Sequence, residues 1–162
     1  MQFRNLLAAG LMAVCLSAAT APKHPAYAEG QVWEYRALPG DEESLLRIQK
    51  IEVLPDAAEQ GPVYHISIIG LHMAGLAASQ QLQHAPVSRE SLDASVTRLS
   101  SAHPAFPDPG PSIAEWRAAH GDVFTVPVAE VVRFVKQALA APDGDKVAAA
   151  TPIAAAARRA AG

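Results

Sequence analysis

The chain has 162 residues, half of them hydrophobic, and carries 16 acidic against 13 basic side chains for a formal charge of −3. That size suits one domain with its own core. An acid excess without a basic cluster argues against nucleic acid as a partner, because phosphate binding needs Lys and Arg gathered on one face.

The first segment reads as a secretory leader. Arg4 supplies the positive start, and residues 6–19 form an apolar stretch too short to cross a bilayer and stay there. No helical stripe divides that stretch into apolar and polar sides, as a buried helix of a domain would require. Ala26-Tyr27-Ala28 puts small residues at the two positions a signal peptidase reads, so residues 1–28 are expected as a signal peptide cut after Ala28. A cut after Ala21 would leave Pro22 first and is the poorer site. The product is an exported protein, periplasmic or extracellular. Cys15 follows Val14, where lipoprotein processing wants a small residue, so a lipid anchor is the lesser alternative. With the leader gone, no cysteine remains for a disulfide or a thiol nucleophile. Asn5 is the sole asparagine and lies in the leader, which leaves no acceptor for N-linked glycosylation. No later segment is a continuous apolar run of transmembrane length.

Residues 31–37 alternate Trp33 and Tyr35 with Glu34 and Arg36, the period of a half-buried strand. Pro39, Gly40, Asp41, Glu42 and Glu43 then make a turn. Residues 45–54 form a second strand of imperfect phase, with Leu46 and Ile48 on one side and Ile51 and Val53 on the other. A bulge near Gln49-Lys50 would restore the phase. After a turn at 56–62, residues 63–73 form a third strand with Tyr64, Ile66 and Ile68 opposite His65 and Ser67.

Residues 74–86 read as a loop. Ser88 caps a helix over 89–100 with Leu92, Val96 and Leu99 on one face. Residues 103–111 hold four prolines and exclude regular structure. Ser112 to Glu115 is a capping box opening a short helix that carries Trp116 and ends at Gly121. Residues 122–126 are extended, and Pro127 starts a helix whose buried face is Val128, Val131, Val132, Val135 and Leu139. The expected architecture is α+β: residues 29–141 as a single domain with a small antiparallel sheet of three to four strands, and two to three helices on one face. Residues 142–162 are an alanine-rich mobile tail.

Chemistry-bearing motifs are sparse. The sequence has no GxSxG, no HExxH and no phosphate-cradling glycine loop. His65 and His72 are seven apart, which points them to opposite sides of a strand and argues against a metal pair. His84, His103 and His120 fall in loops or at a helix end and read as solvated or capping residues. Asp41, Glu42 and Glu43 crowd a turn tip where water keeps them ionised, with weak Ca²⁺ binding as the functional alternative. Trp33, Tyr35, Tyr64 and Trp116 read first as core. Glu34, Arg36, His65 and Ser67, joined by Arg47 and Gln49 or by Lys50 and Glu52, mark a second sheet face left open to water.

Three segments, GQVWEYRALPGDEESLLRIQKIE, VYHISIIGL and VFTVPVAEVVRF, resemble a family of small bacterial proteins with a GQVW-x-Y start, a PGEE-type turn, an HIS strand and a VFTIPVAE helix start. The resemblance spans about residues 30–139 and brings no activity, cofactor or catalytic residue with it. Leu38 departs from it, standing where those proteins tend to have a basic residue before the proline.

The function expected from these readings is a small exported binding protein of the inhibitor, immunity-like or envelope-accessory kind, with an envelope protein as partner and no cofactor or metal. Its binding residues would be Glu34, Arg36, Asp41, Glu42, Glu43, His65 and Ser67. The alternatives are a small envelope hydrolase using His65 and Ser67, and a structural or ligand-carrying component.

Overall fold

Among the described residues the chain builds one antiparallel sheet of five strands: β1 (Val32–Tyr35), β2 (Leu45–Glu52), β3 (Val63–Ile69), β4 (Gln81–Val87) and β5 (Val96–Leu99). Their spatial order is β4-β3-β2-β1-β5. Three helices are found among the described residues, α1 (Arg89–Ser95), α2 (Gly110–Ala118) and α3 (Val128–Ala140). The computed structural model describes residues 26–55, 61–72 and 81–140. The expected leader up to residue 25, the turn at 56–60, the loop at 73–80 and the expected tail at 142–162 lie outside the described residues.

The α+β class holds, with five strands in place of three to four. Residues 81–86, expected as loop, belong to β4, which pairs with β3 through Ile66–Ala85 and Ile68–Leu82. Two glutamines and Pro86 hide this strand from any propensity argument, and pairing with a hydrophobic neighbour overrides that propensity. Pro86 is tolerated because β4 is an edge strand. The helix after Ser88 begins as expected, with Ser91 N–H donating to Ser88 Oγ at 3.2 Å, but it ends at Ser95 instead of Ser100. Ser95 is drawn into other bonds: its hydroxyl donates to Ser91 O and accepts from Val128 N–H, and its carbonyl accepts from Arg36 N–H. Val96 and Thr97, β-branched and poor helix formers, then continue into β5 on the far side of β1.

α2 starts two residues before the expected capping box. Asp108 Oδ1 accepts from Gly110 N–H at 2.9 Å, and Pro109 stands at the N-cap without a side-chain bond of its own. The 122–126 stretch is extended, making one parallel bridge between Phe124 and Val87. α3 follows Pro127 as expected, burying Val128, Val131 and Val132, whereas Leu139 near its end is 49% exposed.

The main core lies on one face of the sheet. Trp33, Tyr35, Leu46, Ile48, Tyr64, Ile66, Ile68, Ala85 and Val87 meet Leu92 of α1 and Val128, Val131 and Val132 of α3. The expected bulge in β2 is present: Ile48 pairs with Ile66 but Lys50 with His65, so Gln49 is the extra residue. It returns Ile51 to the core side and sends Lys50 and Glu52 to the other. A second irregularity, in β4, leaves Gln83 and His84 together opposite Ser67.

The other sheet face is covered over β2, β3 and β4, which corrects the expectation of helices on one face only. Arg47 lies against the Phe106 ring at 5.8 Å, Gln49 Nε2 donates to Pro107 O, and Gln83 Nε2 donates to Asp108 O. Trp116 of α2 packs edge-on against His65. The proline-rich segment and α2 therefore form a second layer, and six of the seven residues of β3 are buried.

Burial sets the expected cost of truncation. Ile66→Ala, at a fully buried position of β3, is expected to lower unfolding free energy by about 3 kcal/mol. Leu99→Ala, at a half-exposed edge position, should cost about 0.5 kcal/mol or less. Urea denaturation of both variants checks the contrast.

Candidate functional site

His65 and Ser67 project from β3 into the covered layer, and neither is exposed. A buried polar group must find partners or forfeit its hydration. The two bulges supply them. Ser67 Oγ donates to Gln83 O at 2.6 Å and accepts from Gln49 Nε2 at 3.1 Å. His65 Nδ1 lies 2.8 Å from His84 Nε2, and His65 Nε2 lies 3.2 Å from Glu52 Oε2. Arg117 of α2 closes the chain, with Nε 2.9 Å from Glu52 Oε1 and Nη2 2.7 Å from Oε2.

The proton positions in this chain follow from donor and acceptor chemistry. Ionised Glu52 can only accept, so His65 carries its proton on Nε2 and presents a lone pair at Nδ1. His84 must then donate from Nε2. Both rings are neutral in this arrangement. Burial first, and the neighbouring His65 second, push the His84 pKa down from 6.5 to about 4. Burial also lowers the pKa of His65, opposed by its hydrogen bond to Glu52. The Arg117 guanidinium, first among several causes, holds Glu52 below the ordinary carboxylate range. Trp116, 5.0 Å from the His65 ring at 77°, and His84, 5.1 Å away and nearly parallel, enclose the imidazole.

The acidic turn divides. Asp41 is fully buried, against the expectation of a solvated tip. Its Oδ2 is 2.5 Å from Lys136 Nζ on α3, and its Oδ1 accepts from His72 N–H at 2.8 Å. Its carbonyl accepts from the Ser44 hydroxyl, whose oxygen is left to accept from the Tyr35 hydroxyl. Asp41 is thus a tether between the turn, the end of β3 and α3. Glu42 and Glu43 remain exposed, Glu42 accepting from Gly40 N–H. Among the described residues, no group of three or more His, Cys, Asp or Glu is placed to hold a metal ion.

Glu34 pairs with Arg98 across β1 and β5 at 2.5 Å, and Arg36 donates to Ala94 O. The seven expected binding residues therefore do not converge. His65, Ser67 and Asp41 are internal, whereas Glu34, Arg36, Glu42 and Glu43 face outward at two places on the surface. Lys50 and Glu52 join Arg47 and Gln49 on the second face because the bulge satisfies both registers. Trp33, Tyr35 and Tyr64 are core as expected, but Trp116 is half-buried in the second layer. His84 was missed because its strand reads as loop; only an even offset from Pro86, opposite His65, could have signalled it. His72 has an exposed side chain and lies apart from His65, in keeping with the seven-residue spacing.

Searches of protein-family models, of curated proteins and of solved structures find no match to this chain. Among the described residues, no helix is long and apolar enough to cross a membrane.

Two outcomes are expected from the covered layer. An unfolded chain binds protons at its histidines below about pH 6.5, whereas the folded chain refuses one at His84 until about pH 4. Stability should therefore fall as pH drops from about 6.5 toward 4, and His84→Gln should flatten that slope in urea midpoints measured across the range. Separately, a β-carbon at Gly121 would overlap the Trp116 indole. Gly121→Ala should cost about 1–3 kcal/mol and alter tryptophan fluorescence.

Proposed function

We propose that the protein is a small exported binding module that recognises an envelope partner by its surface and performs no turnover. The observation that carries this reading is the internal use of the groups able to do chemistry. Both ring nitrogens of His65 are engaged, by His84 and Glu52. The Ser67 hydroxyl donates to a backbone carbonyl, so the nucleophile and base that a serine hydrolase needs do not face each other. Asp41 is committed to Lys136.

What faces outward suits recognition. Glu34 and Arg98 form an exposed ion pair, Arg36 lies next to it, and Glu42 and Glu43 project from the turn. The two sheet edges also differ. β4 is capped where Phe124 N–H donates to Pro86 O and Ser88 N–H to Phe124 O. β5 is bonded to β1 through Ser100 N–H and Ser95 O, which directs the intervening main-chain groups of Leu99 away from the sheet. Leu99 is itself 51% exposed. Such an edge accepts an added strand.

A photo-crosslinking residue placed at Leu99 or at Arg36 in the exported protein should capture one and the same envelope protein. The same residue placed at Glu115 on α2 should not. Capture that is equal from all three positions, or absent from the first two, would contradict the reading.

A further inference from the structure

The residue expected to leave with the leader occupies a built site. The Tyr27 ring stands edge-on to Trp33 at 5.7 Å and to Tyr64 at 5.5 Å, and the Arg89 guanidinium lies 5.2 Å from its centre. Its hydroxyl donates to Asp93 Oδ1 at 2.7 Å. Aromatic walls, a cation over the ring and a carboxylate at its end select a phenol over a plain phenyl ring.

The backbone on either side of Tyr27 is read as well. Ala28 N–H donates to Gln31 Oε1 at 3.0 Å, and Gln31 Nε2 donates to Ala26 O at 3.3 Å. Trp33 Nε1 donates to the same Gln31 oxygen, which fixes the orientation of the amide. One side chain therefore grips the chain both before and after the tyrosine. Such a two-point grip fits any extended segment with small residues beside a tyrosine.

Every residue that forms this seat, Gln31, Trp33, Tyr64, Arg89 and Asp93, lies beyond the expected cleavage point, whereas Tyr27 lies before it. We propose that cleavage after Ala28 vacates the seat and leaves in the processed protein a recognition site for a tyrosine side chain on an extended peptide segment of the partner. The proposal rests on the reading of an exported, processed binding module and names the chemistry it binds. In the uncut chain the site is filled by its own Tyr27, so processing and binding competence coincide.

The test uses protein expressed with its own leader and purified from the envelope. Its intact mass first establishes the N-terminus. An acetylated, fluorescent peptide of residues 22–28 is then titrated by anisotropy, with the thermal midpoint as a second readout. The expected result is a chain starting at Glu29 that binds the peptide saturably and gains thermal stability from it. Phenylalanine in place of the peptide's tyrosine should weaken binding roughly tenfold, and Asp93→Asn similarly, through loss of the charge-assisted bond. A chain starting at Glu29 that shows neither saturable binding nor a midpoint shift at about 1 mM peptide would overturn the seat, as would equal binding of the phenylalanine peptide. A mass that retains Tyr27 would overturn the proposal at its processing step instead.

Discussion

Strand β3, next to the β4 edge of this sheet, is buried on both faces, and that condition governs the rest of the structure. On one side β3 offers Tyr64, Ile66 and Ile68 to a hydrocarbon core. On the other it offers His65 and Ser67, which cannot be left without partners. The bulge at Gln49 and the irregularity at Gln83-His84 bring a polar atom to each of them. The remaining demand, a counter-charge for Glu52, is met by Arg117, which fastens α2 over the face. Cover and satisfaction are therefore one arrangement: without α2 the layer is wet, and without the bulges it is unsatisfied.

The same condition shapes the functional reading. A histidine hydrogen-bonded to a carboxylate, with a serine two residues away on the same strand face, is suggestive in the sequence. In the fold its ring nitrogens are spent on His84 and Glu52, and the serine proton on the Gln83 carbonyl. The polar layer acts as internal fastening. On the binding role proposed above, recognition falls to the charged pair of β1 and β5, the exposed edge at Leu99, the acidic turn, and the aromatic seat beside the N-terminal segment.

Much of the architecture was legible in the residues. Strands β1 to β3, the bulge needed to bring Ile51 back to the core side, the Ser88 cap and the start of α3 all follow from period, turn chemistry and capping. β4 was not legible, because QLQHAPV lacks a strand's alternation and has one β-branched residue, Val87, at its very end, and only pairing with β3 fixes it. β5 was concealed within the apparent helical spacing of Leu92, Val96 and Leu99. Ser95 ends that helix through bonds to Val128 and Arg36, which are distant in sequence. The burial of Asp41 was equally hidden, since its partner Lys136 lies on the last described helix. The site suffered most from these gaps: with β4 read as loop, His84 had no reason to meet His65, and the second face looked open.

The protonation of the paired imidazoles tests the account most directly. Two-dimensional ¹H–¹⁵N spectra of the histidine side chains at about pH 6 should show His65 and His84 both neutral. Each should carry its proton on Nε2, as the donor–acceptor chain from Arg117 through Glu52 requires. Rings that titrate together near the ordinary histidine value of about 6.5, or a proton found on His65 Nδ1, would mean that the second face is open to water and that the covered layer described above does not form.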